Sequence, residues 1–282
     1  MANFFTTIAL ANHQVGLVVC RALHALGEQS EPELKKILIP NVSVTDDTQQ
    51  WDKSVEALKR VKLITCTNDV LSLPKSLRDE GVIDHAVFAQ EFMRGLVEVN
   101  LETIRKGEDP DDLFKAILWL ATLPAGYLIT RDLDQPYARL KAFGLEGLIA
   151  NDEQMNIFRR WTRGLGFSRE FKDCELIDFS EIVHGIIKRS VVGGPLEAFI
   201  QQLELTVPFL SNEELRTWYS SATGSQQKWS SIDEQLGWAL FTAEQRGLVT
   251  FRREDDARVE TISLPFDSNG GARSYTHLQK VA

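Results

Sequence analysis

Positive charge is scarce in this sequence. Its 282 residues carry 31 Lys and Arg against 40 Asp and Glu, which gives a net charge of −9. The deficit is uniform, since residues 1–100 hold 10 basic and 13 acidic side chains, residues 101–200 hold 13 and 16, and residues 201–282 hold 8 and 11. Binding to nucleic acid of any sequence draws on many uncompensated cations. The composition therefore excludes a protein that coats DNA through a basic domain or tail.

Cysteines and long apolar runs are also few. The three cysteines, Cys20, Cys66 and Cys174, form no C-x-x-C pair, and such a sparse set predicts reduced, buried thiols. The histidines stand at no ligand-like spacing with them, so we expect no metal and no other cofactor. No apolar run reaches the roughly 18 residues of a membrane helix, and the N-terminus lacks the pattern of a secretory signal. These features predict a cytoplasmic protein without a membrane partner.

Residues 1–74 have the pattern of a winged helix, a helix-turn-helix variant. A first helix ends at Gly27, a second begins after Ser30, and a third, capped by residues 45–47, contains Trp51. Short apolar runs on both sides of Asn68-Asp69 then predict a hairpin of two strands. Three short helices followed by a hairpin are typical of the winged helix.

Residues 193–282 repeat this pattern. Leu236, Leu240 and Ala243 form one apolar stripe of a helix that opens near Ser230. A strand is predicted from Val249 to Arg253, with a polar turn and a returning strand from Arg258 to Leu264. We therefore expect a second winged helix at the C-terminus.

The region between these two modules is predicted to be mostly helical. Residues 75–109 are expected to form a helical connector, and residues 110–192 a middle, winged-helix-like module. In this middle module Asn151 caps a helix, and a strand follows from Cys174 to Phe179. Gly193-Gly194-Pro195 is expected to break the chain. The predicted fold class is mainly α (α+β), with tandem winged-helix modules and a helical middle region.

Catalytic motifs are missing from the sequence. There is no phosphate-binding glycine loop followed by Lys and Ser or Thr, and no G-x-S-x-G elbow. The carboxylates Asp173, Glu175 and Asp178 suggest a nuclease site, but Ile177 stands where such a site usually has a lysine. We therefore expect a protein that is not an enzyme, and a carboxylate-based nuclease remains the less favoured alternative.

Binding residues are expected on the helices and hairpins of the modules. In the first module, the third helix is expected to present Gln50, Lys53, Ser54 and Ala57 to solvent. The alternative for the basic residues is ordinary surface charge. The candidate DNA-binding residues are Lys53 and Arg60, then Arg159, Arg160 and Arg163, then Arg252, Arg253 and Arg258. Trp238 and Phe241 are candidate anchors for a protein partner, with burial in the core and stacking on bases as the alternatives.

The stretch N-D-E-Q-M-N-I-F-R-R-W-T-R-G-L-G-F (Asn151–Phe167), followed by E-L-I-D-F, resembles the DpdG family. Leu71-Ser72-Leu73 and the late stretch Gly271–Leu278 support the resemblance. It implies a component of bacterial gene clusters that replace guanine in DNA with 7-deazaguanine derivatives and restrict unmodified DNA. It also implies helicase-like, ATPase and nuclease partners, and it assigns no catalytic residues.

The predicted function is a non-catalytic adaptor of a bacterial, anti-phage DNA modification and restriction system. Such a subunit would bind protein partners and also contact DNA, while other chains hydrolyse ATP and cut. The alternative is a sequence-specific transcriptional regulator, which would need a symmetric dimer to read two half-sites.

Overall fold

The computed structural model describes residues 4–39, 48–129, 147–149, 151–189, 193–210, 212–224, 234–253, 262–264 and 273–281. These residues are mainly helical with small antiparallel sheets, which confirms the α+β class. The chain divides into two compact units, of which the first holds residues 1–114 and 151–165 and the second holds residues 115–150 and 166–282. The four-part division expected from the sequence stays a prediction.

The first unit is built from helices around one small sheet. Its helices are α1 (Phe4–Thr7), α2 (His13–Leu26), α3 (Glu31–Leu38), α4 (Thr48–Arg60), α5 (Lys75–Arg78), α6 (His85–Arg105), the start of α7 (Asp112–Ala121), and α8 (Asp152–Gly164). Its strands are β1 (Gln29–Ser30), β2 (Thr65–Thr67) and β3 (Val70–Ser72).

The predicted helix ends of this unit follow from local capping. Gly27 ends α2 with a φ of 79°, a conformation that L-residues avoid, and the Ser30 side chain accepts a hydrogen bond from the Glu33 amide at the start of α3. The Asn151 side chain does the same for the Gln154 amide at the start of α8. These three predictions are confirmed, whereas the cap expected at 45–47 lies outside the described residues.

The sheet of the first unit has the strand order β1-β3-β2, and all its pairs are antiparallel. Asn68 and Asp69 form the turn between β2 and β3 with φ values of 50° and 62°. Asn and Asp tolerate this left-handed conformation better than other residues with a Cβ. The predicted hairpin is therefore confirmed at its turn.

Aromatic rings fill the core of the first unit. Trp161 of α8 lies with its ring centroid 5.1 Å from that of Phe4 and 4.9 Å from that of Phe92. All three side chains are at most 1% exposed. Gly164, one turn further along α8, lies so close to the His13 ring that a Cβ there would approach it to 2.3 Å. Within the stretch Asn151–Phe167, which resembles the DpdG family, Trp161 and Gly164 therefore pack against the core.

The second unit contains the end of α7 and three further sheets. Its helices are α9 (Ser180–Arg189), α10 (Leu196–Thr206), a 3-10 turn (Pro208–Leu210), α11 (Glu213–Thr223) and α12 (Glu234–Gln245). Its strands are β4 (Leu128–Ile129), β5 (Ser168–Phe171), β6 (Cys174–Ile177), β7 (Gly193–Pro195), β8 (Val249–Arg252), β9 (Ile262–Leu264), β10 (Arg273–Tyr275) and β11 (His277–Lys280).

Two expectations for the C-terminal region are wrong. Gly193-Gly194-Pro195 does not simply break the chain, because it forms the edge strand β7 and pairs with β11. The strand that returns beside β8 is β11, whereas β9 pairs with β10 in a separate sheet. Both errors concern pairing between segments far apart in sequence, which a local apolar pattern does not specify.

Three sheets share one strand order along the chain. The orders are β1-β3-β2, β4-β6-β5 and β7-β11-β8, so the first strand lies at an edge and the last strand lies in the middle. Every pair in the three sheets is antiparallel. In each case a helix of 12 or 13 residues comes shortly before the second strand: α4, α8 and α12. The three sheets therefore repeat one antiparallel strand order along the chain.

The cysteines partly follow expectation. All three are free thiols. Cys20 is buried as expected, whereas Cys66, in the exposed strand β2, is exposed and Cys174 is half-buried.

Candidate nucleic-acid interface

The cations on and just after α4 are each paired with a carboxylate. Lys53 and Arg60 were expected to face DNA, and the structure places them beside Glu56 and Asp111 respectively. The N–O distances are 2.8 Å for Lys53–Glu56, 2.7 Å for Lys59–Glu31, 3.1 Å for Arg60–Asp111 and 3.2 Å for Lys62–Glu98. Their positive charge is thus offset within the protein.

The exposed face of α4 also differs from expectation. Ser54 and Ala57 are buried rather than presented to solvent. The Ser54 hydroxyl accepts a hydrogen bond from the Asn12 amide at 2.9 Å and donates one to the Gln50 carbonyl at 2.6 Å. This part of α4 packs on the chain ahead of α2 and is not available to a ligand.

Arg60 belongs to a buried group of charges. Its partner Asp111 stands beside Asp112, whose carboxylate accepts hydrogen bonds from the Phe4 and Phe5 amides at 2.6 and 2.8 Å. Burial, together with the neighbouring Asp112, raises the pKa of Asp111 above its ordinary value, and Arg60 opposes this rise. The group fastens α1 to the start of α7, so its role is structural.

The arginines of α8 lie on the side of that helix away from the core. Arg163 is exposed, and Arg159 and Arg160 are half-buried. The opposite side, with Phe158 and Trp161, is fully buried. The pKa of His13 is lowered to about 4. Burial of the His13 ring is the largest cause, and the nearby His85 and Arg160 lower the pKa further. The three arginines therefore lie within the last two turns of α8 on one side of the helix, where Arg163 is exposed and the Nε of Arg159 is buried.

The candidate residues of the C-terminal region lie partly in β8. Val249 and Phe251 point inward, while Arg252 points outward and stands opposite His277 of β11. Arg252 and Arg253 are exposed, and Arg258 lies outside the described residues. On α12, the rings of Trp238 and Phe241 lie 5.7 Å apart. Both are half-buried, so they leave part of each ring accessible.

The three carboxylates considered for a nuclease have separate surroundings. Glu175 is 1% exposed and accepts a hydrogen bond from the Ser168 hydroxyl at 2.6 Å. Asp178 accepts one from the Ser180 amide and pairs with Arg169 at 3.3 Å, whereas Asp173 is exposed in the turn. Among the described residues no group of three or more His, Cys, Asp or Glu could hold a metal ion.

His184 joins α9 to α12 in the second unit. Its Nε2 lies 2.9 Å from the Ala239 carbonyl and its Nδ1 lies 3.2 Å from a guanidinium nitrogen of Arg246. A carbonyl only accepts and a guanidinium only donates, so the ring is neutral with its proton on Nε2. Burial lowers the pKa of His184, and the Arg246 charge adds to this.

We expect the stability of the protein to fall in acid because of His184. The folded protein binds fewer protons there than the unfolded chain, so this stability is fully present above pH 6.5 and is lost as the pH falls below it. Urea unfolding of the wild type and His184→Gln measures the effect, since glutamine can donate to Ala239 and accept from Arg246 without titrating. The variant should show a shallower loss between about pH 6.5 and 5. An equal slope in both proteins would contradict the assignment.

Within the described part of the chain, no helix is long and apolar enough to cross a membrane. The fold and the charges together define a mainly helical α+β protein that repeats one three-stranded antiparallel topology and presents arginines on one helix face. The chain belongs to the DpdG-like family, whose model matches residues 6–257. This membership fits the context of a 7-deazaguanine DNA modification system. No curated protein and no solved structure matches the chain.

Proposed function

We propose that this protein is a non-catalytic, cytoplasmic winged-helix subunit of a bacterial DNA modification and restriction system. It contacts DNA through α8 and binds helicase, ATPase or nuclease subunits through other surfaces. The observation that carries the proposal is the strand order that three sheets share, with a helix shortly before the second strand of each. A helix followed by a hairpin is the recognition unit of a winged helix, and membership of the DpdG-like family supplies the biological context.

The three helices in this position differ in charge. Within its own sequence α4 carries Asp52 and Glu56 among its cations, and α12 begins with Glu234 and carries Trp238 and Phe241. Acidic groups near phosphates reduce affinity, and aromatic anchors suit a protein interface. The last two turns of α8 carry only basic charges, while its acidic residues lie in the first turn. We therefore assign DNA contact to α8 and partner contact to α12.

Changing Arg159, Arg160 and Arg163 of α8 to Glu should abolish most DNA binding. Guanidinium groups bind phosphates and release counter-ions, so we expect a loss of about a hundredfold or more at low salt. The salt dependence should weaken as well, by about 0.9 in the slope of log Kd against log salt for each lost phosphate contact. Fluorescence anisotropy with labelled DNA measures both quantities.

A matched control separates the α8 face from overall charge. Lys36, Lys75 and Arg78 are exposed cations of the same unit, and changing all three to Glu alters the net charge equally. The control should bind DNA within a few-fold of the wild type. Equal losses in both triple variants would contradict a role for α8, and a tight footprint on one sequence would favour the transcriptional regulator instead.

A further inference from the structure

The tip of the β5–β6 hairpin exposes an aromatic ring. Phe171, the last residue of β5, is 48% exposed. Among the large hydrophobic side chains that are exposed in the described residues, it is the one aromatic, and the others are Leu, Val and Ile. Most phenylalanines of this chain are buried, and Phe171 differs from them because part of its ring is open to solvent.

The residue after Phe171 has an unfavourable backbone. Lys172 has a φ of 55° and opens the two-residue turn that joins Phe171 to its partner Cys174. The turn between β2 and β3 uses Asn68 and Asp69 for the same kind of conformation, and these residues adopt it readily. Lysine has no such preference, so the hairpin would fold better with glycine. Strain of this kind is often retained at functional positions.

Lys172 and Phe171 form a pair at this tip. The Lys172 ammonium lies 5.7 Å from the centre of the Phe171 ring, within the range of a cation–π contact. The contact places one positive charge and one flat apolar surface side by side. Both parts are therefore oriented before any ligand arrives.

The flanking charges of the hairpin are distributed over its two faces. Arg169 shares a face with Phe171 because strand side chains alternate, and 57% of its side chain is exposed while it pairs with Asp178. Glu170 lies on the other face, opposite Glu175. Asp173 is exposed in the turn and partly offsets Lys172. On the face that presents the ring, Arg169 is thus offset by Asp178, and Lys172 is the cation beside the ring.

We propose that this hairpin tip binds nucleic acid, with Phe171 stacked on an unpaired base and with Lys172 at the adjacent phosphate. Aromatic rings stack on every base, and cations beside them bind the backbone. The exposed apolar area is essentially one ring, whereas a protein interface buries about 800 Å² per partner, so the size of the patch suits a single base. The inference rests on the proposed DNA-binding function and names the part of the nucleic acid that this hairpin recognises.

Variants of the full-length protein test the stacking. Anisotropy with a labelled single strand and with the duplex of the same sequence should show that Phe171→Ala weakens single-strand binding by about tenfold and duplex binding much less. Phe171→Trp should retain the single-strand affinity. Leu128→Ala is the control, because Leu128 is 40% exposed on the same face of the sheet and carries no ring.

Lys172→Gly separates a binding role from a structural one. Glycine relieves the positive φ, so the melting temperature should rise, while the affinity for the single strand should fall because the cation is lost. A merely structural lysine would leave the affinity unchanged, and this result would overturn the inference.

The outcomes distinguish this inference from the proposed function. If neither the wild type nor any variant binds DNA, both the hairpin inference and the proposed function are overturned. If the wild type binds, the α8 variant loses binding and Phe171→Ala binds like the wild type, the hairpin inference is overturned and the proposed function stands. Equal losses on single strand and duplex would overturn the stacking on an unpaired base. Normal DNA binding by Phe171→Ala with lost binding of a partner subunit would assign the tip to a protein.

Discussion

Replacing Gly95 with alanine should strongly destabilise the first unit. Gly95 lies in the middle of α6, and a Cβ there would come within 1.9 Å of the Val61 carbonyl oxygen and 3.0 Å of its carbon. In an exposed helix the same change would add about 1 kcal/mol of stability. Here the sign is reversed, because the obstacle is backbone of the turn after α4 and cannot rotate away.

Urea unfolding followed by circular dichroism measures this effect. The free energy of unfolding should fall by more than about 3 kcal/mol, the upper part of the range for overpacked cores. Gly81→Ala is the control, since a Cβ at Gly81 would meet nothing within 4 Å and its φ is not in the left-handed region. A Gly95→Ala protein as stable as the control would show that α6 and the turn at Val61 do not approach each other as described.

Replacing Trp161 with alanine should cost about 3–5 kcal/mol of stability, the range for removing a large aromatic side chain from a core. Trp161 is 1% exposed and packs between Phe4 and Phe92. No well-placed neighbour could fill the space, because these neighbours are themselves held by α1 and α6. The loss should appear in thermal and urea unfolding.

Trp161→Phe should retain much more stability than Trp161→Ala. The indole nitrogen of Trp161 is buried and has no hydrogen-bond partner among the described residues, so phenylalanine removes volume but no hydrogen bond. A phenylalanine variant as unstable as the alanine variant would contradict the packing role and would point to an essential polar contact of the indole.

The helices of this protein could be predicted from local signals. Ser30, Asn151 and Gly27 stand at helix ends because their side chains or their backbone satisfy the groups that a helix leaves unpaired. The turn at Asn68-Asp69 is equally local. These signals act over three or four residues, so no knowledge of the rest of the chain is needed to read them.

The strand pairing of the C-terminal region could not be predicted in this way. Gly193-Gly194-Pro195 has none of the apolar alternation of a strand, and it becomes one because β11 offers it a partner. The same sequence therefore gives a break or a strand according to a segment about 80 residues away. The strand β5 was not expected either, although its partner β6 was.

The candidate binding residues divide in the same manner. The arginines of α8 could be found from the sequence, whereas the exposure of Arg163 and the half-burial of Arg159 and Arg160 follow from the fold. The ion pair of Arg60 could not be predicted from the sequence, because its partner Asp111 lies 51 positions further along the chain. The exposed ring of Phe171 was missed, and a single aromatic residue followed by lysine gives no signal that separates a hairpin tip from a core strand.

The sequence by itself determined the mainly helical class, the helix ends, the uniform acidic charge and the resemblance to the DpdG family. The tertiary structure decided which cations are offset by carboxylates, which strand pairs with β8 and which aromatic ring reaches solvent. The physical reason is the distance along the chain over which each interaction acts. Capping and periodicity are local properties of the backbone, whereas an ion pair, a strand pairing or a buried face depends on which distant segment arrives beside it.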